Sequence, residues 1–247
     1  EGTGDVMAKP KSSKYSISWI QSIADIDRDQ WDALANPLPT PFLEWDWLKL
    51  MELSGSTTAK TGWLPYHLTV RRGSDLVAAA PMYIKGHSAG EFVFDHVWAD
   101  VASRMGIAYY PKIVGMSPFT PMTGYRFLMA PGEDVAGLTA AMMSEIDRLC
   151  RRHQLSGSSF LFADPQWHRE MLDLGYFGWQ HQSYAWLNPG YKNFDDYLAI
   201  FNSNQRRNIK RERLAIERQG LSLETLTGNR IPRSLFSLMY RFYEHTN

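Results

Sequence analysis

Apolar and polar positions along this chain change period repeatedly, from two to about 3.6 and back, so strands and helices are expected to alternate. Residues 15–20 alternate as a first strand, and Asp25 is placed to cap a short helix ending near Leu34. Thr40 and Pro41 form an N-cap and first-turn pair for a helix through Leu53, closed by Gly55. Residues 66–70 read as a strand with Tyr66, Leu68 and Val70 on one face and His67 and Thr69 on the other. Residues 75–85 read as its hairpin partner, joined through Arg72-Gly73-Ser74. A turn then leads into a further extended stretch at 91–95. Residues 95–106 read as helical, and 108–114 as a strand that Pro111 makes an edge or a bulged one.

The clearest helical period covers 135–153. Val135, Leu138, Met142, Ile146 and Leu149 form its stripe, with acids at its start and arginines at its end. Short strands at 126–129 and 158–163 flank it. Asp164-Pro165 opens a helix that Gly175 closes, and 178–187 reads as an aromatic strand. Asn193 caps a helix over 194–201, Ser203 opens a basic helix to Gln219, and 221–226 reads as one more strand. From Arg230 a last helix is still running at Asn247. This interleaving is mixed α/β. The composition break at Ser156-Gly157-Ser158-Ser159 suggests domains over 15–157 and 158–247 behind a polar tail over 1–14. The open final helix implies that the second domain is incomplete.

Composition narrows the classes. The 26 Lys and Arg balance the 26 Asp and Glu, so only a local patch could attract nucleic acid or an anionic surface. The single cysteine, Cys150, excludes a disulfide framework and a cysteine-based zinc site, and its place beside the stripe of the long helix reads as structural. No apolar leader precedes the first strand, and no apolar run approaches the roughly 18 residues that span a bilayer. A cytoplasmic protein without a membrane span is expected.

The densest chemistry lies in 81–121. Tyr83, Lys85, His87, Glu91 and Asp95 crowd ionisable groups beside a hydrophobic wall, the usual raw material of a site. In an extended chain Tyr83 and Lys85 share a face, as do Glu91 and Asp95, while Phe92 and Phe94 point oppositely into a core. Glu91, Asp95 and His87 are candidate bases, with Lys85 and Tyr83 as donors; an ion pair fixing a hairpin is the competing reading. His67, Tyr109, Tyr110, Lys112, Phe119 and Thr120 are candidates to line a cleft. On the basic helix, Arg206, Lys210 and Arg213 share one face, and Arg207, Arg211 and Arg218 the next, a surface that could hold phosphates. No Gly-x-Ser-x-Gly elbow occurs, and no third ligand joins His87 and His96 as a metal site.

Several phrases together carry a resemblance. They are Thr61-Gly62-Trp63-Leu64-Pro65-Tyr66-His67-Leu68, Lys85-Gly86-His87-Ser88-Ala89-Gly90-Glu91-Phe92-Val93-Phe94-Asp95, Tyr109-Tyr110-Pro111-Lys112 and Pro118-Phe119-Thr120-Pro121. Phe194-Asp195-Asp196-Tyr197-Leu198 and Arg206-Arg207-Asn208-Ile209-Lys210-Arg211 continue them. The chain thereby resembles bacterial FemAB-like proteins of peptidoglycan biosynthesis or recognition, in the acyl-CoA N-acyltransferase superfamily. The resemblance implies tandem acetyltransferase-like (GNAT-like) α/β domains and transfer of an acyl or aminoacyl group to an amine, for instance of a peptidoglycan precursor. It allows acyl-CoA or aminoacyl-tRNA as donor. The long two-helix arm of the Fem relatives has no counterpart here, which argues against tRNA. The phosphate-cradling loop of acetyl-CoA users is also unmatched. The alternatives are a non-catalytic protein recognising cell-wall peptide or nucleotide sugar, and an RNA-contacting module.

Overall fold

A computed structural model describes residues 14–182 and 184–246, and divides them into two compact units at Trp179/Gln180. The first unit is mixed α/β, with two four-stranded sheets flanked by helices. One sheet has the order β1 (Ser16–Ile20), β3 (His67–Arg72), β4 (Asp75–Ala80), β7 (Leu128–Met129), all antiparallel. The other has the order β2 (Trp63–Pro65), β5 (Met82–Lys85), β6 (Lys112–Gly115), β8 (Ser158–Phe160), with only the β6–β8 pair parallel.

The two sheets share one hairpin. Its arms run 63–72 and 75–85, and a proline interrupts each arm, at Pro65 and Pro81. Proline cannot donate to a ladder. Both arms therefore leave the first sheet there and re-pair in the second, across a Tyr66 N–H to Met82 carbonyl bond of 2.8 Å. The uninterrupted strand expected over 75–85 is thus two strands in two sheets.

The main core lies between the first sheet and helices α1 (Arg28–Ala35), α2 (Trp45–Leu53), α4 (Val135–His153) and α5 (Pro165–Asp173). Leu138, Met142, Ile146 and Leu149 are buried as their spacing predicts, whereas Val135 is exposed. Asp164 caps α5 through Gln166 and Trp167, as expected. Near the chain start the cap of α1 is Asp27 rather than Asp25, which ends a short 3-10 turn capped by Ser22. Thr40 caps another 3-10 turn, and extended Glu44 separates it from α2.

Residues 158–176, expected to open a second domain, pack in the first unit. The Ser156 N–H donates to Pro111, β8 pairs with β6, and Trp167 and Met171 are buried in the main core. Pro111 does not mark an edge strand: it precedes β6, which is central between β5 and β8. Its peptide bond with Tyr110 is cis. Of the expected tail over 1–14, only Lys14 is among the described residues.

The second unit holds α6 (Phe194–Ala199), α7 (Ser203–Arg218) and α8 (Arg233–Thr246). Asn193 caps α6, and Asn202 with Gln205 forms a capping box on α7. The strands expected at 178–187 and 221–226 do not form among the described residues, where no neighbouring strand supplies a ladder.

Candidate active site

Pairing in the second sheet builds the centre of the site. Lys85 on β5 stands directly opposite Trp63 on β2 and Lys112 on β6, so the three form one row across the sheet. Two lysines directly opposed on a buried face repel each other unless negative charge is returned to them. The chain returns it within ten residues. After β5, the 86–95 loop folds back and buries Glu91 and Asp95 beside the row, then continues into α3 (His96–Arg104).

The loop is not the extended segment its alternation predicts. Phe92 and Phe94 take left-handed backbone, with φ of 59° and 53°. Burial still alternates, but with reversed polarity: Glu91, Val93 and Asp95 are inside, while Phe92 and Phe94 are 46% and 72% exposed. The phenylalanines expected to anchor the segment in a core face outward, because the lysine row draws the carboxylates in.

Each charge is held differently. Lys85 Nζ lies 3.6 Å from the centroid of the Trp63 ring and donates to the Ala89 carbonyl at 3.0 Å; Trp63 Nε1 donates to the same carbonyl. Burial pushes the Lys85 ammonium down to about 8 against the pull of Glu91. Asp95 accepts from Lys112 Nζ at 2.9 Å, from the Tyr109 hydroxyl at 2.8 Å and from the Tyr110 hydroxyl at 3.3 Å. Burial alone would raise Asp95, but the hydrogen bonds it accepts, those from Lys112 and Tyr109 among them, bring it down to about 2.

Glu91 is the contrast. It is fully buried, 3.5 Å from Lys112 Nζ, and neither carboxylate oxygen has a hydrogen-bond partner among the described residues. Burial raises its pKa, opposed by the charges of Lys112 and Lys85. Asp95 Oδ1 is likewise buried without a partner. Burial raises Tyr109 and Tyr110 as well, with the Asp95 carboxylate reinforcing both, so the two phenols stay protonated donors.

The structure therefore brings Lys85, Glu91, Asp95, Tyr109, Tyr110 and Lys112 together, and adds Ser88 and Trp63, which sequence reasoning did not single out as site residues. Only their place in the quoted phrases pointed at them. Phe119 flanks the group by packing on Trp63 at 5.0 Å. Gly90 must be a glycine here, since a Cβ would lie 2.6 Å from the Phe119 ring at a φ of 80°. Thr120 closes its own loop by donating to the Pro118 carbonyl. His87 accepts from the Ala89 N–H and covers Gly62 at the exposed side of the turn.

Tyr83 and His67 form a separate buried group with their rings 5.3 Å apart. The Met82 N–H donates to His67 Nδ1, leaving Nε2 as the protonated nitrogen facing Glu52 at 3.5 Å. Glu52 also accepts from the Ile23 N–H and the Ser22 hydroxyl. His67 is a strut with no exposed surface, so the cleft contact expected of it has no access to a ligand.

On α7 the two basic faces differ. Arg206 donates to the Phe201 carbonyl, Lys210 lies 4.0 Å from Asp195, and Arg213 covers the Phe194 ring at 4.1 Å. That face holds α7 against α6. Arg207 and Arg211 are exposed on the other.

Three solved structures show a distant likeness to the chain. A GCN5-related N-acetyltransferase from Ralstonia eutropha JMP134 aligns over 69% of this chain and 97% of its own, at 10% identity and a TM-score of 0.42. The aminoglycoside N-acetyltransferase AAC(6')-Iy, solved with CoA, aligns over 74% and 100% at 10% identity and 0.43. AAC(6')-Ih from Acinetobacter baumannii aligns over 71% and 99% at 16% identity and 0.42. Likenesses this distant carry no argument about substrate or residue roles. No curated protein matches the chain in sequence. The model of the FemAB_like family, described as peptidoglycan biosynthesis/recognition, matches residues 22–247, and the chain belongs to that family.

Proposed function

We propose that the chain is an N-acyltransferase whose general base is Glu91. The observation that carries the reading is the state of that carboxylate: buried beside two ammonium groups, with Lys112 Nζ no nearer to Oε2 than 3.5 Å and no other donor on either oxygen among the described residues. A base for amine attack needs a free lone pair and a pKa raised towards working pH, and burial supplies the second. Asp95 is held low and spends Oδ2 on three donors, which makes it a positioning group for Lys112 and the tyrosines. The acceptor nitrogen attacks the carbonyl carbon of an acyl thioester or ester and passes its proton to Glu91. The carbon–sulfur or carbon–oxygen bond breaks, and the leaving group takes up that proton. Lys85, Lys112 and the protonated tyrosines supply positive ends for the oxyanion that forms between these steps. The 86–95 loop, with Gly86 and Gly90 in it, has to open for a substrate to reach Glu91.

The family description supports an acceptor from the cell wall, such as the free amine of a peptidoglycan precursor. The donor is an acyl-CoA or a charged tRNA. The test is amide formation by the whole chain from acyl thioesters and amino-bearing muropeptides, read by mass spectrometry. Glu91→Gln should cut turnover at least about 100-fold with unchanged folding. If the wild type binds the muropeptide and no donor yields product, the enclosed carboxylates serve recognition only, and the transferase reading fails.

A further inference from the structure

The segment that encloses Glu91 has its polarity inside out. Glu91 and Asp95 are buried, while Phe92 and Phe94 are exposed. Burying a charge and leaving an aromatic ring in water both cost free energy, so ties to the rest of the chain must hold this arrangement closed. The left-handed backbone at Phe92 and Phe94 adds strain, since bulky side chains disfavour it.

Those ties are few and uneven. Among the described residues, one backbone hydrogen bond joins 86–93 to another part of the chain, from the Gly86 N–H to the Gly62 carbonyl at 3.4 Å. Side chains latch the tip instead. Ser88 Oγ and the Tyr110 hydroxyl oxygen are 2.5 Å apart, and Lys85 Nζ and Trp63 Nε1 both donate to the Ala89 carbonyl at 3.0 Å. At the far end Asp95 is fixed by Lys112, Tyr109 and Tyr110. At the near end nothing lies within 4 Å of where a Cβ on Gly86 would sit, so this residue is free to turn. Between the two ends, Glu91 has only the 3.5 Å approach of Lys112.

We propose that residues 86–94 are a lid that opens without substrate, hinged at Gly86, anchored at Asp95 and latched through Ser88 and the Ala89 carbonyl. Opening carries the Glu91 carboxylate into water, restoring the hydration it lacks when closed, and frees Phe92 from its left-handed geometry. Asp95 keeps Lys112 and the tyrosines in place meanwhile, so the site reassembles on closure. The proposal deepens the transferase reading by naming the gate to its base.

The measurement is thiol labelling of the whole chain in the absence of substrate. Val93 is buried in the lid and Val114 in the second sheet, and each is changed to cysteine in a Cys150→Ala background. Val93→Cys should react with a maleimide at least about 100-fold faster than Val114→Cys, because a lid opens far more often than a central strand unfolds. Adding Ser88→Ala should speed labelling of Val93→Cys about two- to tenfold, the weight of one hydrogen bond, and leave Val114→Cys unchanged. Adding Phe92→Asn, which suits left-handed backbone, should slow it about fivefold or more. Equal rates at the two positions overturn the proposal, since exposure then requires global unfolding. So does an equal effect of Ser88→Ala at both positions, or faster labelling with Phe92→Asn. A chain whose lid opens but which forms no amide would sink the transferase reading alone. Amide formation by a chain with equal labelling rates would sink the lid alone.

Discussion

Two carboxylates four residues apart, on one loop and beside the same two lysines, are pushed in opposite directions. The difference lies in hydrogen bonds, three to Asp95 Oδ2 against a single 3.5 Å approach of Lys112 to Glu91 Oε2. It has a signature in stability. The carboxyl of Asp95 titrates lower in the folded chain than in the unfolded one, so its stabilisation is present above about pH 4 and lost as pH falls towards about 2. Wild type should exceed Asp95→Asn by on the order of 2 kcal/mol at pH 6 and converge with it near pH 2, in urea titrations. A constant gap across that range would mean that the charge of Asp95 is not what stabilises. Glu91 has the opposite sign: its folded pKa is raised, so its contribution falls as pH rises through that higher window. Lys85, lowered to about 8, leaves the unfolded chain holding the extra proton between about 8 and 10.5, and stability climbs with pH there.

At the scale of elements, helices were more legible than strands. The 135–153 helix was visible to the residue, because a sustained period and terminal charges need no partner to be read. Caps at Asp164 and Asn193 were legible for the same local reason. Strands at 178–187 and 221–226 were read from side chains alone, and β-propensity without a ladder does not make a strand. The site was legible as a cluster of residue types. Its arrangement was not, because the opposition of Trp63, Lys85 and Lys112 depends on pairing between distant segments. His67 shows the limit most clearly, since period two placed it on a polar face that turned out to be a second buried one. The network around it sets a prediction. Glu52→Ala strips acceptors from the Ile23 N–H, Ser22 and His67, and should cost about 1–3 kcal/mol per buried group left unpaired. A change below about 0.5 kcal/mol in denaturant midpoints would show that water replaces the carboxylate at no cost.

For the whole molecule, the two units are unequal. All eight strands and every buried side chain among the described residues except Leu198 belong to the first unit. A fragment ending at Trp179 should therefore unfold cooperatively on its own, with an intact near-ultraviolet spectrum. A featureless spectrum would show that the second unit is needed for the first to pack.

The creased hairpin has a consequence for the order of assembly. Its arms close through a turn of a few residues, so its loop-closure entropy is small. The later additions of β6, β7 and β8 close far longer loops. Because one local piece templates both sheets, a single early event commits the chain to its topology, and the two sheets should not form independently. Truncations at Val70 in the hairpin should slow folding, giving φ-values near 0.5–0.8, whereas truncations at Phe160 in β8 should act on unfolding and stay below about 0.3. The reverse pattern would make the crease a late fitting between sheets already formed. Pro65 and Pro81 would then be replaceable without kinetic effect.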